Sequence, residues 1–151
     1  MVLAPDEQTL TLLVADALRA HDSTQASLLR MLKHSLHNAA IAKGGALNDQ
    51  ERVSVYRKEV KQRQEAAEVF EKGGRLDTAQ QERDEAKHIS TFLPALVSHA
   101  QVTTVARSYI NLALAQGLAP NKGVLIKQIR EELAGNADGK LIAEVVSELL
   151  A

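Results

Sequence analysis

Apolar positions recur along the chain at intervals of three and four residues, the spacing that puts side chains on one face of an α-helix. Leu10, Leu13, Val14 and Leu18 form the first such stripe. It follows Pro5-Asp6-Glu7, whose missing N–H and acidic side chains suit a first helical turn, and it is expected to run to His21. Asp22 with Gln25 reads as a variant capping box opening a second helix. Leu28, Leu29, Leu32, Leu36, Ala39 and Ala40 line its inner face, and Gly44-Gly45 stops it. Asn48 with Glu51 opens a third helix, whose stripe is Val53, Tyr56, Val60, Ala67 and Phe70 and whose end is Gly73-Gly74. Asp77 is placed to cap a fourth, with Ala79, Ala86, Ile89 and Leu93 inward.

Pro94 cannot continue that helix, so the segment from Pro94 to Ser98 divides the chain into an N-terminal helical bundle, 1–94, and a smaller C-terminal domain, 95–151. In the second part, Val102, Val105, Tyr109, Leu112 and Ala113 predict a fifth helix ended by Gly117. Asn121 caps a sixth carrying Val124, Leu125, Ile129 and Leu133, closed by Gly135. Asp138 caps a seventh with Leu141, Ile142, Val145, Leu149 and Leu150 inward. Val102-Thr103-Thr104-Val105 is the one stretch with strand character, and it has nothing obvious to pair with. The pattern therefore predicts an all-α protein, a four-helix module followed by a small three-helix tail domain.

Composition supports helices and narrows the chemistry. Among 151 residues Ala and Leu, the best helix formers, number 23 and 21, while Phe, Tyr and Trp together number four. A core so poor in aromatics packs its helices closely and leaves little bulk for a ligand pocket. The absence of Cys excludes disulfides, thiolate metal sites and cysteine catalysis. Met1-Val2-Leu3-Ala4-Pro5-Asp6-Glu7 carries no basic region ahead of an apolar run, and no run approaches a membrane span, so a cytoplasmic protein is expected.

Net charge is only −1, but it is unevenly placed. From Arg30 to Arg63 eight Lys/Arg face three acids, an excess of +5; from Glu65 to Glu85 three Lys/Arg face seven acids, an excess of −4. On the second helix Arg30, Lys33, His34 and His37 fall at i, i+3, i+4 and i+7, opposite the leucines. On the third, Arg57, Lys58 and Lys61 share a face turned from Val53 and Val60. Clustered cations of this kind track phosphates, because each one that meets a phosphate releases a counterion. The plainer reading is a solvated surface braced by the pairs Glu59–Arg63, Lys61–Glu65 and Glu68–Lys72. No aromatic residue interleaves the basic stripe, so base stacking is not indicated.

No catalytic constellation emerges. His34 and His37 share a face but lack a third metal ligand nearby, and Glu85-Ala86-Lys87-His88 supplies one Glu-x-x-His where di-iron bundles need two. Phosphate-cradling glycine motifs are absent, and Ser27, Ser35 and Ser54 have no neighbouring base. Asn121, Asp138 and Gly139 are explained by helix capping. The expectation is no catalytic residue, no metal and no cofactor.

Four segments carry a resemblance to a known family. They are Leu28-Leu29-Arg30-Met31-Leu32-Lys33-His34-Ser35-Leu36-His37-Asn38-Ala39, then Arg57-Lys58-Glu59-Val60-Lys61-Gln62-Arg63 continuing through Phe70-Glu71-Lys72-Gly73-Gly74-Arg75, then Phe92-Leu93-Pro94, and Gly135-Asn136-Ala137-Asp138-Gly139-Lys140. In this order, from about Asp16 to Leu150, they resemble the YqeY family, stand-alone relatives of the tail region of the GatB subunit of the aspartyl/glutamyl-tRNA amidotransferase. The sixth helix departs from the family pattern: Lys122-Gly123-Val124-Leu125-Ile126 keeps the glycine but has Val124 where the family has lysine, with Lys122 and Lys127 flanking it.

The resemblance implies a helical bundle with a three-helix tail, acting as a non-catalytic tRNA-binding protein or an accessory of a tRNA-modifying or aminoacylating enzyme. The family label of carbon–nitrogen ligase with glutamine as amido-N-donor describes the parent complex, since nothing in this chain would activate a carboxylate with ATP or hydrolyse glutamine. Arg30, Lys33, Arg57, Lys58, Lys61 and Arg63 are then the expected phosphate contacts of the bundle, with Lys122, Gly123, Gly135, Asp138, Gly139 and Lys140 shaping the tail surface that meets RNA. Such contacts position a folded RNA by shape. The alternatives are a protein–protein adaptor using the opposed charged segments without RNA, and a subunit of a ligase complex whose partner brings the ATP site.

Overall fold

The computed structural model describes residues 3–133 and 135–151. Within them lie seven α-helices and no strand: α1 Glu7–Arg19, α2 Ser23–Lys43, α3 Asp49–Lys72, α4 Leu76–Ser90, α5 His99–Ala115, α6 Lys122–Glu132 and α7 Gly139–Leu150. The reading of the N-terminal segment includes Met1 and Val2, which lie outside the described residues. The chain divides into two compact units, Met1–Leu93 with α1–α4 and Pro94–Ala151 with α5–α7.

Helix starts follow short polar side chains that accept a hydrogen bond from a backbone N–H of the first turn. Asp6 accepts from Thr9, Asp22 from Gln25, Asn121 from Val124 and Asp138 from Lys140. Reciprocal capping boxes join Asn48 to Glu51 and Ser98 to Gln101. Glu51 also binds Lys43 Nζ at 2.7 Å, tying the end of α2 to the start of α3, and these two partners hold its carboxyl below the usual range.

Three expectations at helix ends are corrected. Pro5 stands before the cap Asp6 rather than inside the first turn. The first helix ends at Arg19, and His21 turns the chain at φ +57°. Asp77 does not cap α4. Gly74, at φ +78°, reverses the chain directly after α3, and the Arg75 N–H closes the turn on the Phe70 carbonyl at 2.8 Å. The helix therefore begins at Leu76 and Asp77 falls within its first turn, where a carboxylate still favours the dipole.

In the first unit α1 packs on α2, and α3 on α4. The core gathers Leu10, Leu29, Leu32, Leu36, Tyr56 and Ile89. Tyr56 is fully buried and meets Phe92 edge to face, with ring centroids 6.0 Å apart. The segment before α1 is pinned to the same core: Ala4 N–H donates to the Phe92 carbonyl, Arg52 Nε to the Ala4 carbonyl, and Tyr56 Oη to the Pro5 carbonyl.

The second unit is a three-helix cluster around Val102, Ala106, Leu125, Ile129, Ile142, Val145 and Val146. The Val102–Val105 stretch is helical, as expected. Leu18, Leu112 and Val124, expected inward, are 45%, 53% and 54% exposed. Leu18, one residue after the buried Ala17, and Val124, one residue before the buried Leu125, are each turned about 100° around the helix from them. Leu112 lies toward the end of α5, which at 17 residues outruns the 11- and 12-residue helices packed against it.

Candidate functional site

The leucines of α2 point inward, so 3.6-residue periodicity turns Arg30, Lys33, His34 and His37 outward together. These four side chains and Glu7 of α1 line one open groove of about 360 Å³. His37 Nδ1 lies 3.4 Å from Glu7 Oε2, and His34 Nε2 lies 3.1 Å from Asn38 Nδ2. An amide nitrogen only donates, so His34 in this arrangement accepts through Nε2 and carries its proton on Nδ1. Glu7 was not visible as part of this face in the sequence, because it arrives from a different helix.

The third helix divides its cations. Lys58 and Lys61 are exposed, and Lys61 stands 4.0 Å from Glu65. Arg57, expected beside them, is half-buried, and burial pulls its guanidinium below the ordinary range. Arg63 turns inward. It is 16% exposed and lies within 4.0 Å of Glu59, 3.5 Å of Glu82 and 3.5 Å of Glu85. Glu59 in turn accepts a 2.8 Å hydrogen bond from Ser35 of α2. Arg63 thus joins α3 to α4 through carboxylates, and a phosphate would have to displace them to reach it.

The acidic excess also takes shape. Asp22, Asp77, Asp84, Glu85 and His88 border a groove of about 420 Å³ between the start of α2 and α4, floored by Leu28. Arg83 of α4 pairs with Glu71 of α3 on the same hairpin. No group of three His, Asp or Glu side chains suited to a metal ion occurs among the described residues, and no helix there is long and apolar enough to cross a membrane.

In the second unit Lys122 and Lys140 are exposed at the first turns of α6 and α7. Asp138 is spent on capping α7, and Gly135 turns the chain at φ +77°. Gly123 lies in the first turn of α6, where a Cβ would meet Asn121 Oδ1 at 3.4 Å. Gly139 opens α7 under the side chain of Arg130, whose Nη2 would lie 3.3 Å from an added Cβ. Arg130 is a surface cation that the motif around Gly139 did not announce; its position in the last turn of α6 was the available signal.

The family described as Yqey-like protein matches residues 7–150, nearly the whole chain. No curated protein matches it.

Proposed function

We propose that this chain, which belongs to the YqeY family, is a non-catalytic accessory protein that binds folded RNA, tRNA foremost, through its phosphates. The observation that carries this reading is the α2 groove, where Arg30 and Lys33 stand with two imidazoles and a single carboxylate. Lys58 and Lys61 on the outer face of α3 add two solvent-facing cations in the same unit. Lys122 and Lys140 are the corresponding cations of the three-helix tail. Arg63 is left out of the phosphate set, because three carboxylates already hold it. Gly123, Gly135, Asp138 and Gly139 act by shaping turns and helix starts rather than by touching RNA. Contacts made by cations alone fix position without reading bases, so recognition is by the shape of the RNA.

The test is fluorescence polarisation with total tRNA over a salt series, comparing the natural chain with Arg30→Glu/Lys33→Glu and Lys58→Glu/Lys61→Glu. The expected result is a linear log–log salt plot and a shallower slope in each variant, by about 0.7–0.9 per phosphate contact removed. Absence of binding at low salt would overturn the reading for the isolated chain.

A second reading, a protein–protein adaptor, is favoured by the acidic groove between α2 and α4. Asp22, Asp77, Asp84 and Glu85 around a leucine floor suit a basic, amphipathic segment of a partner enzyme. Co-purification of a protein partner after nuclease treatment, lost in Asp77→Lys/Asp84→Lys, would favour this reading over the first.

A further inference from the structure

We propose that His34 and His37 make the α2 groove a proton-gated phosphate site, so that RNA binding by this face tightens as pH falls from 7.5 to 5.5. The inference rests on the RNA-binding reading and adds its regulation. With both imidazoles neutral, Arg30 and Lys33 against Glu7 leave the groove a charge of +1; with both protonated the same groove carries +3. The imidazole is the side chain whose charge changes within this pH range. The helical spacing of residues 30, 33, 34 and 37 presents all four groups to one ligand strand.

The surroundings leave both rings open to a ligand on the groove side. The groups facing the two rings are Glu7 from α1 and Arg30 and Lys33 from α2. The third helix packs on α2 elsewhere, bringing Glu59 to Ser35. His37 gains an ion pair with Glu7 on protonation yet stays 60% exposed, so its outer edge remains open to a phosphate. Protonated His34 can no longer accept from Asn38, and a half-turn of that exposed amide presents Oδ1 in place of Nδ2. Both rings then donate outward, beside two permanent cations.

The experiment measures tRNA affinity across a salt series at pH 7.5 and pH 5.5, for the natural chain and for His34→Gln/His37→Gln. Glutamine is a good helix former, and a thermal melt verifies that the double variant stays folded. The expected result for the natural chain is a log–log slope steeper at pH 5.5 by about 1–2, with at least about tenfold tighter binding at 0.1 M salt. In the double variant slope and affinity should change little with pH. Equal slopes at the two pH values in the natural chain would overturn the proposal while leaving RNA binding intact. Steepening that persists in the double variant would overturn it too, by assigning the protons to other groups. Absence of binding at both pH values would overturn the RNA-binding reading and this proposal with it.

Discussion

The phenol of Tyr56 donates a 2.8 Å hydrogen bond to the carbonyl of Pro5, from the first third of α3 to the residue ahead of the α1 cap. Both groups are buried, so neither finds water when the other is removed. Tyr56→Phe is expected to cost about 1–3 kcal/mol, the range for leaving a buried carbonyl unsatisfied. Burial also raises the phenol's pKa far above its ordinary value. A phenol held neutral in the fold contributes stability that is fully present below about pH 10, where the unfolded chain's tyrosine is also neutral. That contribution is lost as pH rises above it. Urea unfolding from pH 8 to 11 should show a steeper alkaline decline in the natural chain than in Tyr56→Phe; parallel curves would contradict the assignment.

Arg63 is expected to act on stability rather than on RNA. Removing its guanidinium leaves Glu59, Glu82 and Glu85 facing one another in a partly shielded site. Arg63→Met should therefore destabilise the first unit by about 1–3 kcal/mol, below the range for a fully buried pair because these groups keep some solvent. Arg63→Lys should recover only part of the loss, since a single ammonium cannot fork between carboxylates as a guanidinium does. The salt slope of tRNA binding, measured on folded protein, should match that of the natural chain. A slope lowered as much as in Lys58→Glu/Lys61→Glu would return Arg63 to the phosphate contacts.

The helices and most of their starts were legible because their causes are local. A cap such as Asn48 acts on an N–H three residues away, and the leucine spacing of α2 fixes which side of that helix faces out. The basic stripe of α2 was legible for the same reason. Arg63 was not, because two of its three carboxylates belong to α4, and helical spacing within α3 says nothing about them. Spacing within α3 alone places Arg57 outward, while its burial depends on what packs around it. Asp77 looked like a cap because its residue type is right; the helix starts earlier because the reversal at Gly74 leaves room for only one residue before it.

The cap of α1 should be visible in acid. Asp6 accepts the Thr9 N–H at 2.8 Å, and this bond holds its carboxyl below the ordinary range. A carboxylate with a depressed folded pKa gives stability that is present above the unfolded value of about 3.9 and lost as pH falls through the folded value. Asp6→Ala should cost about 1 kcal/mol at pH 7. The difference should narrow toward pH 2, as protonation of the natural carboxylate leaves it only a neutral accepting oxygen. Asp6→Asn, which keeps an accepting oxygen, should lie close to the natural chain at pH 7 and lack the acid decline. Chemical denaturation at the two pH values decides between these outcomes.

The start of α4 offers the opposite experiment, a cap that is missing. Arg75 occupies the cap position with φ −91° and ψ 69° and makes no side-chain cap bond. Asp22, at φ −93° and ψ 82°, has nearly the same backbone geometry and does accept from the N–H three residues on. An aspartate at position 75 is therefore already placed to reach the Thr78 N–H, and its charge suits the positive end of the helix. Against this gain stands the loss of the Arg75 guanidinium, which lies 5.0 Å from the centre of the Phe70 ring. That contact is worth about 0.5–1 kcal/mol at an exposed site. Arg75→Ala loses it without gaining a cap, so it is the reference for the comparison. Arg75→Asp should be more stable than Arg75→Ala by about 1 kcal/mol and close to the natural chain or slightly above it. Equal melting temperatures for the two variants would mean that the turn after Gly74 holds the side chain away from the helix start, and that the likeness to the Asp22 backbone is not enough.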